Sequence, residues 1–157
     1  MKFYQDSSLR RKIRDYFLFL SILAAIFSLV ELRGDYILAP PYAVSAYIIV
    51  FQRNTKYSSR KSLAITYILV IISSDVLHVI FSDSPPGMIL DVLVVSGFIT
   101  FTNYSHPPAI ALTIFSYLVA SPLDFTFSSV LSLLSLLISS ILMENGFFKT
   151  HDKIDAN

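Results

Sequence analysis

The chain has 157 residues, 54% of them apolar and 15% charged, with a net charge of +1 and a mean hydropathy of +0.64. A soluble domain of this size carries about a quarter charged residues, spread along its length. Here they cluster between long apolar runs, which excludes a soluble catalytic domain and predicts an all-α polytopic membrane protein with a lipid bilayer as its main partner. With no cysteine in the chain, disulfides, thiolate metal sites and cysteine nucleophiles are excluded as well.

In chain order, residues 1–15 form a basic segment holding Lys2, Arg10, Arg11, Lys12 and Arg14. The first apolar run, 16–32, ends at Glu31-Leu32-Arg33 without a small-residue cleavage site and reads as a retained span. The second, 36–51, contains Pro40-Pro41 and precedes a basic loop with Arg53, Lys56, Arg60 and Lys61. The third, 62–82, carries Asp75 and His78 and leads into a tight turn, SDSPPG. The fourth, 86–104, carries Asp91 and a Ser96-Gly97 pair suited to close helix packing. The fifth, 107–121, opens on Pro107-Pro108. The sixth, 125–143, repeats serine at 128, 132, 135 and 139, a stripe that lets helices approach, and residues 144–157 form a tail with Lys149 and Lys153.

Lysine and arginine set orientation. Six crossings put every basic cluster on one side, the cytoplasm, with both termini, and leave Glu31, Arg33, Asp35, Asp83 and Asp124 outside. The predicted organisation is one transmembrane domain, 16–143, between two cytoplasmic segments. If the second segment merely dipped in and returned, the basic loop would lie outside, against that rule.

The second and fifth segments would make about 22 Å of helix each, against roughly 30 Å of hydrocarbon. Short proline-interrupted segments at matching places in two halves point to a transport site, and three spans per half imply inverted three-helix repeats. Proline suits the first helical turn. Pro41 and Pro108 are therefore expected to start helices whose positive ends attract a small anion without a buried lysine or arginine. The third pair, Pro85-Pro86, has no partner in such a repeat.

The string His106-Pro107-Pro108, followed by Ala109 and an apolar helix, resembles the HPP family of integral membrane proteins, named for that motif. Ala39 to Lys61 is similar to the family's earlier region: a small-residue helix with a serine, here Ser45, ending in Val-Phe before a polar basic loop. The resemblance covers roughly residues 17–122. Ala43 and Ala46 stand where glycines belong in the family pattern. It implies a small transporter, and the link of plastid members to nitrite suggests nitrite or nitrate.

Tyr42 and Ser45 in the first half, and Asn103, Ser105 and His106 in the second, are the candidate donors around Pro41, Pro107 and Pro108. Asp75, His78 and Asp91 are ionisable groups inside predicted spans that could meet as a proton route; the alternative is a structural pair near the interface reaching to water, which Asp91, about a turn past Pro86-Gly87, fits better. No phosphate loop, nucleophile elbow, metal-ligand spacing or basic nucleic-acid face is present, so no enzyme, cofactor, metal or nucleic acid is expected. The expectation is a small anion transporter or channel. Alternatives are a six-span capture subunit that needs an energising partner, or a non-transporting scaffold. A chain this short can barely enclose a pathway alone, which makes a homo-oligomer plausible.

Overall fold

A computed structural model describes residues 2–32, 34, 36–53, 55–82 and 84–144. Arg33, Asp35, Asp83, Lys149 and Lys153 lie outside the described residues. Among the described residues there are six α-helices: α1 (Lys2–Glu31), α2 (Ala39–Phe51), α3 (Arg60–Phe81), α4 (Pro85–Phe101), α5 (Pro108–Ser116) and α6 (Pro122–Glu144). Short 3-10 turns at Tyr36–Leu38 and Lys56–Ser58 flank α2. Leu9–Glu31, Arg60–Phe81 and Pro122–Met143 are long and apolar enough to cross a membrane, and Tyr36–Phe51 and Pro85–Phe101 are shorter apolar helices. The nine residues of α5 rise only about 13 Å. The fifth helix is thus much shorter than the run 107–121 suggested, because turns and bends replace helix after Ser116.

Polarity is turned inside out. On α3 the exposed positions include Ile68, Ile72, Val76, Val79 and Ile80, with Val79 87% exposed, while Ser62, Thr66, Ser74 and His78 are buried. Phe101 and Leu123 are likewise 89% and 81% exposed. A water-soluble helix shows the opposite arrangement. Hydrocarbon around the bundle makes this one favourable, since apolar surface loses nothing there and polar groups must find partners within the protein.

The helices alternate in direction. Arg53, just after α2, holds Asp15, at the middle of α1, at 3.0 Å, so the second half of α1 runs back along α2 in the opposite direction. His106, after α4, reaches the Tyr57 carbonyl at 2.8 Å, which returns the chain to the Arg53 end. Thr126, at the start of α6, binds Asp75 toward the far end of α3, so α5 leads away and α6 comes back.

The core collects Ile22, Ile26 and Val30 of α1, Tyr42 and Ala46 of α2, Leu63, Tyr67 and Val70 of α3, Leu112 of α5, and Phe125 and Leu136 of α6. Small residues let α6 sit close: Ser128, Ser129 and Ser132 are fully buried on its inner face, as packing requires. Gly97 differs from the reading of a packed Ser96-Gly97 pair, because a Cβ added there meets nothing within 4 Å. Between α3 and α4, Ser82 takes φ +53° and Ser84 caps α4 by accepting from the Gly87 N–H.

Candidate functional site

Two polar clusters lie inside the apolar bundle. The first joins α2, α3 and the segment before α5. Ser45 Oγ lies 2.9 Å from His106 Nε2 and 2.5 Å from the Tyr67 hydroxyl, and all three residues are fully buried. His106 Nδ1 is 2.8 Å from the Tyr57 carbonyl. A carbonyl only accepts, so Nδ1 carries the ring proton and Nε2 is the acceptor in the neutral imidazole, where it shares the one Ser45 hydroxyl proton with the Pro41 carbonyl, also 2.9 Å from Ser45 Oγ. Tyr67 in turn donates to Ser45 Oγ or, at 3.2 Å, to the Pro41 carbonyl. The Tyr67 ring meets the edge of the His106 ring at 5.4 Å and tilts against Tyr42 at 5.3 Å. Burial holds the His106 imidazole down, at about 4, with the Tyr57 carbonyl pulling the other way.

Seven residues further along α3, about 10 Å, is the second cluster. Asp91 of α4 is fully buried. It accepts from Ser73 Oγ at 2.6 Å and Ser74 Oγ at 2.7 Å. Ser116 Oγ, at the end of α5, is 3.0 Å from Ser74 Oγ. His78 Nδ1 donates to the Ser74 carbonyl at 2.6 Å, and its ring stacks on Tyr117 with centroids 4.1 Å apart. Val70, between the clusters on the same face of α3, is fully buried and separates them.

Of the residues singled out from sequence, Ser45 and His106 come together, and His78 meets Asp91 through Ser74. Asp75 stands apart from that pair: it turns to α6 and takes Thr126 Oγ1 at 2.8 Å on both carboxylate oxygens. The reason is helical geometry. Residues 74 and 75 are about 100° apart around α3, so Ser74 and Asp75 serve different neighbours. Asn103 is exposed, and Ser105 is buried without capping α5, whose first turn begins at Pro107 with no side-chain cap.

The proline-started helix ends differ from the expectation in two ways. Pro107 and Pro108 have no N–H, and the next two donors are spent, Ala109 N–H on the His106 carbonyl and Ile110 N–H on the Pro107 carbonyl. The start of α2 is likewise continuous with the 3-10 turn before it and passes through Pro40 and Pro41. Nor do the two ends converge. α5 begins beside the middle of α2 and runs back toward the turn that precedes it. The two helices flank an apolar groove of about 340 Å³, with Pro40, Pro41, Val44 and Ile48 on one wall and Pro107, Pro108, Ala111 and Phe115 on the other.

Sequence reasoning missed three participants. The Tyr57 carbonyl belongs to a loop read only as a topology signal, and nothing in the sequence marks it as folding back under His106. Tyr67 and Ser74 sit in an unremarkable apolar run, although their seven-residue spacing on one helix face was available as a signal. Buried hydroxyls with no hydrogen-bond partner remain on Tyr42, Ser129 and Ser132, with Tyr42 beside Ser129 but out of good bonding geometry. Among the described residues no group of three or more metal-ligating side chains occurs. No family model, curated protein or solved structure matches the chain.

Proposed function

We propose that the chain is a small membrane transporter that carries an inorganic anion together with a proton. In this reading the chain crosses six times in two inverted halves, with the turns on either side of α5 completing the fifth crossing, the end holding Asp15, Arg53 and His106 faces the cytoplasm, and copies associate in the membrane. Membership of the HPP family, on the His106-Pro107-Pro108 string, narrows the anion to nitrite or nitrate.

The observation that carries the reading is Asp91. A carboxyl buried in a bundle that shows hydrocarbon side chains outward is costly unless it works, and intramembrane carboxyls mark proton routes. Ser73, Ser74, Ser116 and His78 around it are exchangeable-proton groups drawn from α3 and α5, so a proton taken by Asp91 has neighbours to receive it. The anion, denied the proline-capped helix ends, goes to the hydroxyls whose hydrogen bonds are still to be made, those of Tyr42, Ser129 and Ser132. Neutral donors suit an anion that must also leave.

The test is reconstitution of the purified chain into liposomes, with a panel of anions read by solid-supported-membrane electrophysiology at two pH values. Nitrite-selective current that steepens in acid supports the proposal. Binding without flux points instead to a capture subunit, and neither binding nor flux points to a scaffold.

A further inference from the structure

The first cluster is not used by that transport reading, since its hydrogen bonds are already made among its own members. Its geometry is that of an activated nucleophile. The Ser45 hydroxyl lies 2.9 Å from a neutral imidazole nitrogen and 2.9 Å from the Pro41 carbonyl, either of which can take its one proton, and the other ring nitrogen is fixed by a carbonyl at 2.8 Å, which sets the tautomer and the ring orientation. Nucleophile, base and orienting group in that order are the recognisable parts of covalent acyl transfer. The two side chains come from positions 61 residues apart, which is why no linear motif announces them.

The surroundings supply two further parts. The Tyr67 hydroxyl is the nearest hydrogen-bond donor to Ser45 Oγ besides the serine itself, and is placed to turn toward an oxyanion forming on a carbon attached there. The apolar groove runs directly beside the pair. Pro41, Val44 and Ile48, neighbours of Ser45 along α2, and Pro107 and Pro108, which follow His106 without a break, line the groove, with Ser45 and His106 buried behind them. A groove lined this way accepts an alkyl chain and offers a charged guest nothing.

We propose that Ser45 and His106 form a catalytic pair that hydrolyses esters of an apolar acyl chain lying in the α2–α5 groove. Ser45 Oγ attacks the ester carbonyl carbon while its proton passes to His106 Nε2. The tetrahedral adduct collapses, breaking the bond to the alcohol oxygen, and that oxygen takes the proton from His106. Water then repeats the sequence on the acyl-serine, returning free acid and Ser45. Ester and water become acid and alcohol, with no other reactant required. Ser45 sits behind the groove wall, so the chain enters as Val44 and Pro107, both already exposed on their outer sides, give way.

The experiment uses the full chain in detergent and in liposomes, incubated with a serine-directed fluorophosphonate, with the adduct located by mass spectrometry. The expected result is one adduct on Ser45, lost in Ser45→Ala, slowed about 100-fold or more in His106→Gln, and unchanged in Ser96→Ala. Para-nitrophenyl esters should be cleaved faster as the acyl chain lengthens. Ala111→Phe, which fills the groove, should raise KM for the octanoate ester while leaving fluorophosphonate labelling in place. Folding of each variant is followed by circular dichroism and gel filtration. The proposal is overturned if folded wild-type protein takes no adduct at pH 8, or if the adduct persists in Ser45→Ala. Because Asp91→Asn should remove proton-linked flux and spare labelling, and Ser45→Ala the reverse, the transport and hydrolysis readings fail separately.

Discussion

At the scale of single residues, His106 and Asp91 are the two places where the interior commits to charge chemistry. His106 links the basic loop to α2 through its two ring nitrogens, so removing it strands the Tyr57 carbonyl and leaves Ser45 with only Tyr67 and the Pro41 carbonyl. His106→Ala should destabilise the protein by roughly 2 to 4 kcal/mol, read as a lower Tm by circular dichroism in detergent. The pH dependence has a definite sign. The folded imidazole sits at about 4 against 6.5 in the unfolded chain, so the unfolded state takes up the proton first. The His106 contribution is therefore complete above pH 6.5, is lost as pH falls toward 4, and changes no further below. His106→Asn should flatten that part of the Tm profile; an unchanged acid limb would assign it to other groups. For Asp91, the isosteric Asp91→Asn keeps the packing between Ser73 and Ser74 but cannot cycle a proton. Flux in that variant should lose its dependence on pH while the protein still folds.

At the scale of elements, the prolines and glycines decide how the short helices are placed. Pro107→Ala with Pro108→Ala restores two N–H groups and loosens the entry to α5, the helix whose Ser116 reaches Ser74 in the Asp91 cluster. Flux should drop while membrane insertion is unchanged; equal flux would remove any transport role for the motif. Two glycines on α4 make a paired test. At Gly87 an added Cβ would sit 2.9 Å from Phe81 Cβ, so Gly87→Ala should cost roughly 1 to 3 kcal/mol by forcing α3 and α4 apart at their turn. At Gly97 the same change meets nothing within 4 Å, and Gly97→Ala should be neutral or stabilising by up to about 1 kcal/mol. Loss of an oligomer in Gly97→Ala would instead show that a second copy covers this face.

At the scale of the whole molecule, the cysteine-free sequence is a clean background for topology. Single cysteines at Ser58 and Arg53 should react with an impermeant maleimide from the cytoplasmic side only, and one at Leu32 from the opposite side. Labelling of Ser58 and Leu32 from the same side would remove the crossing assigned to α2.

The helical class and the approximate breaks between helices were readable from the sequence. Each rests on composition within a contiguous run: apolar residues cannot leave hydrocarbon, and backbone polar groups there must bond within their own helix. Which polar residues meet is a different kind of fact. Ser45, Tyr67, His106 and the Tyr57 carbonyl come from four separate stretches, and Asp75 and Asp91 part company over one residue of helical phase. Those outcomes depend on how helices rotate about their axes when they pack, and rotation is set by side chains on neighbouring helices rather than by any local pattern. The proline pairs illustrate both. Their positions announced two short helices, and local bonds spend the first donors of α5, but only the packing of α5 alongside α2 opened an apolar groove where a charged site was expected.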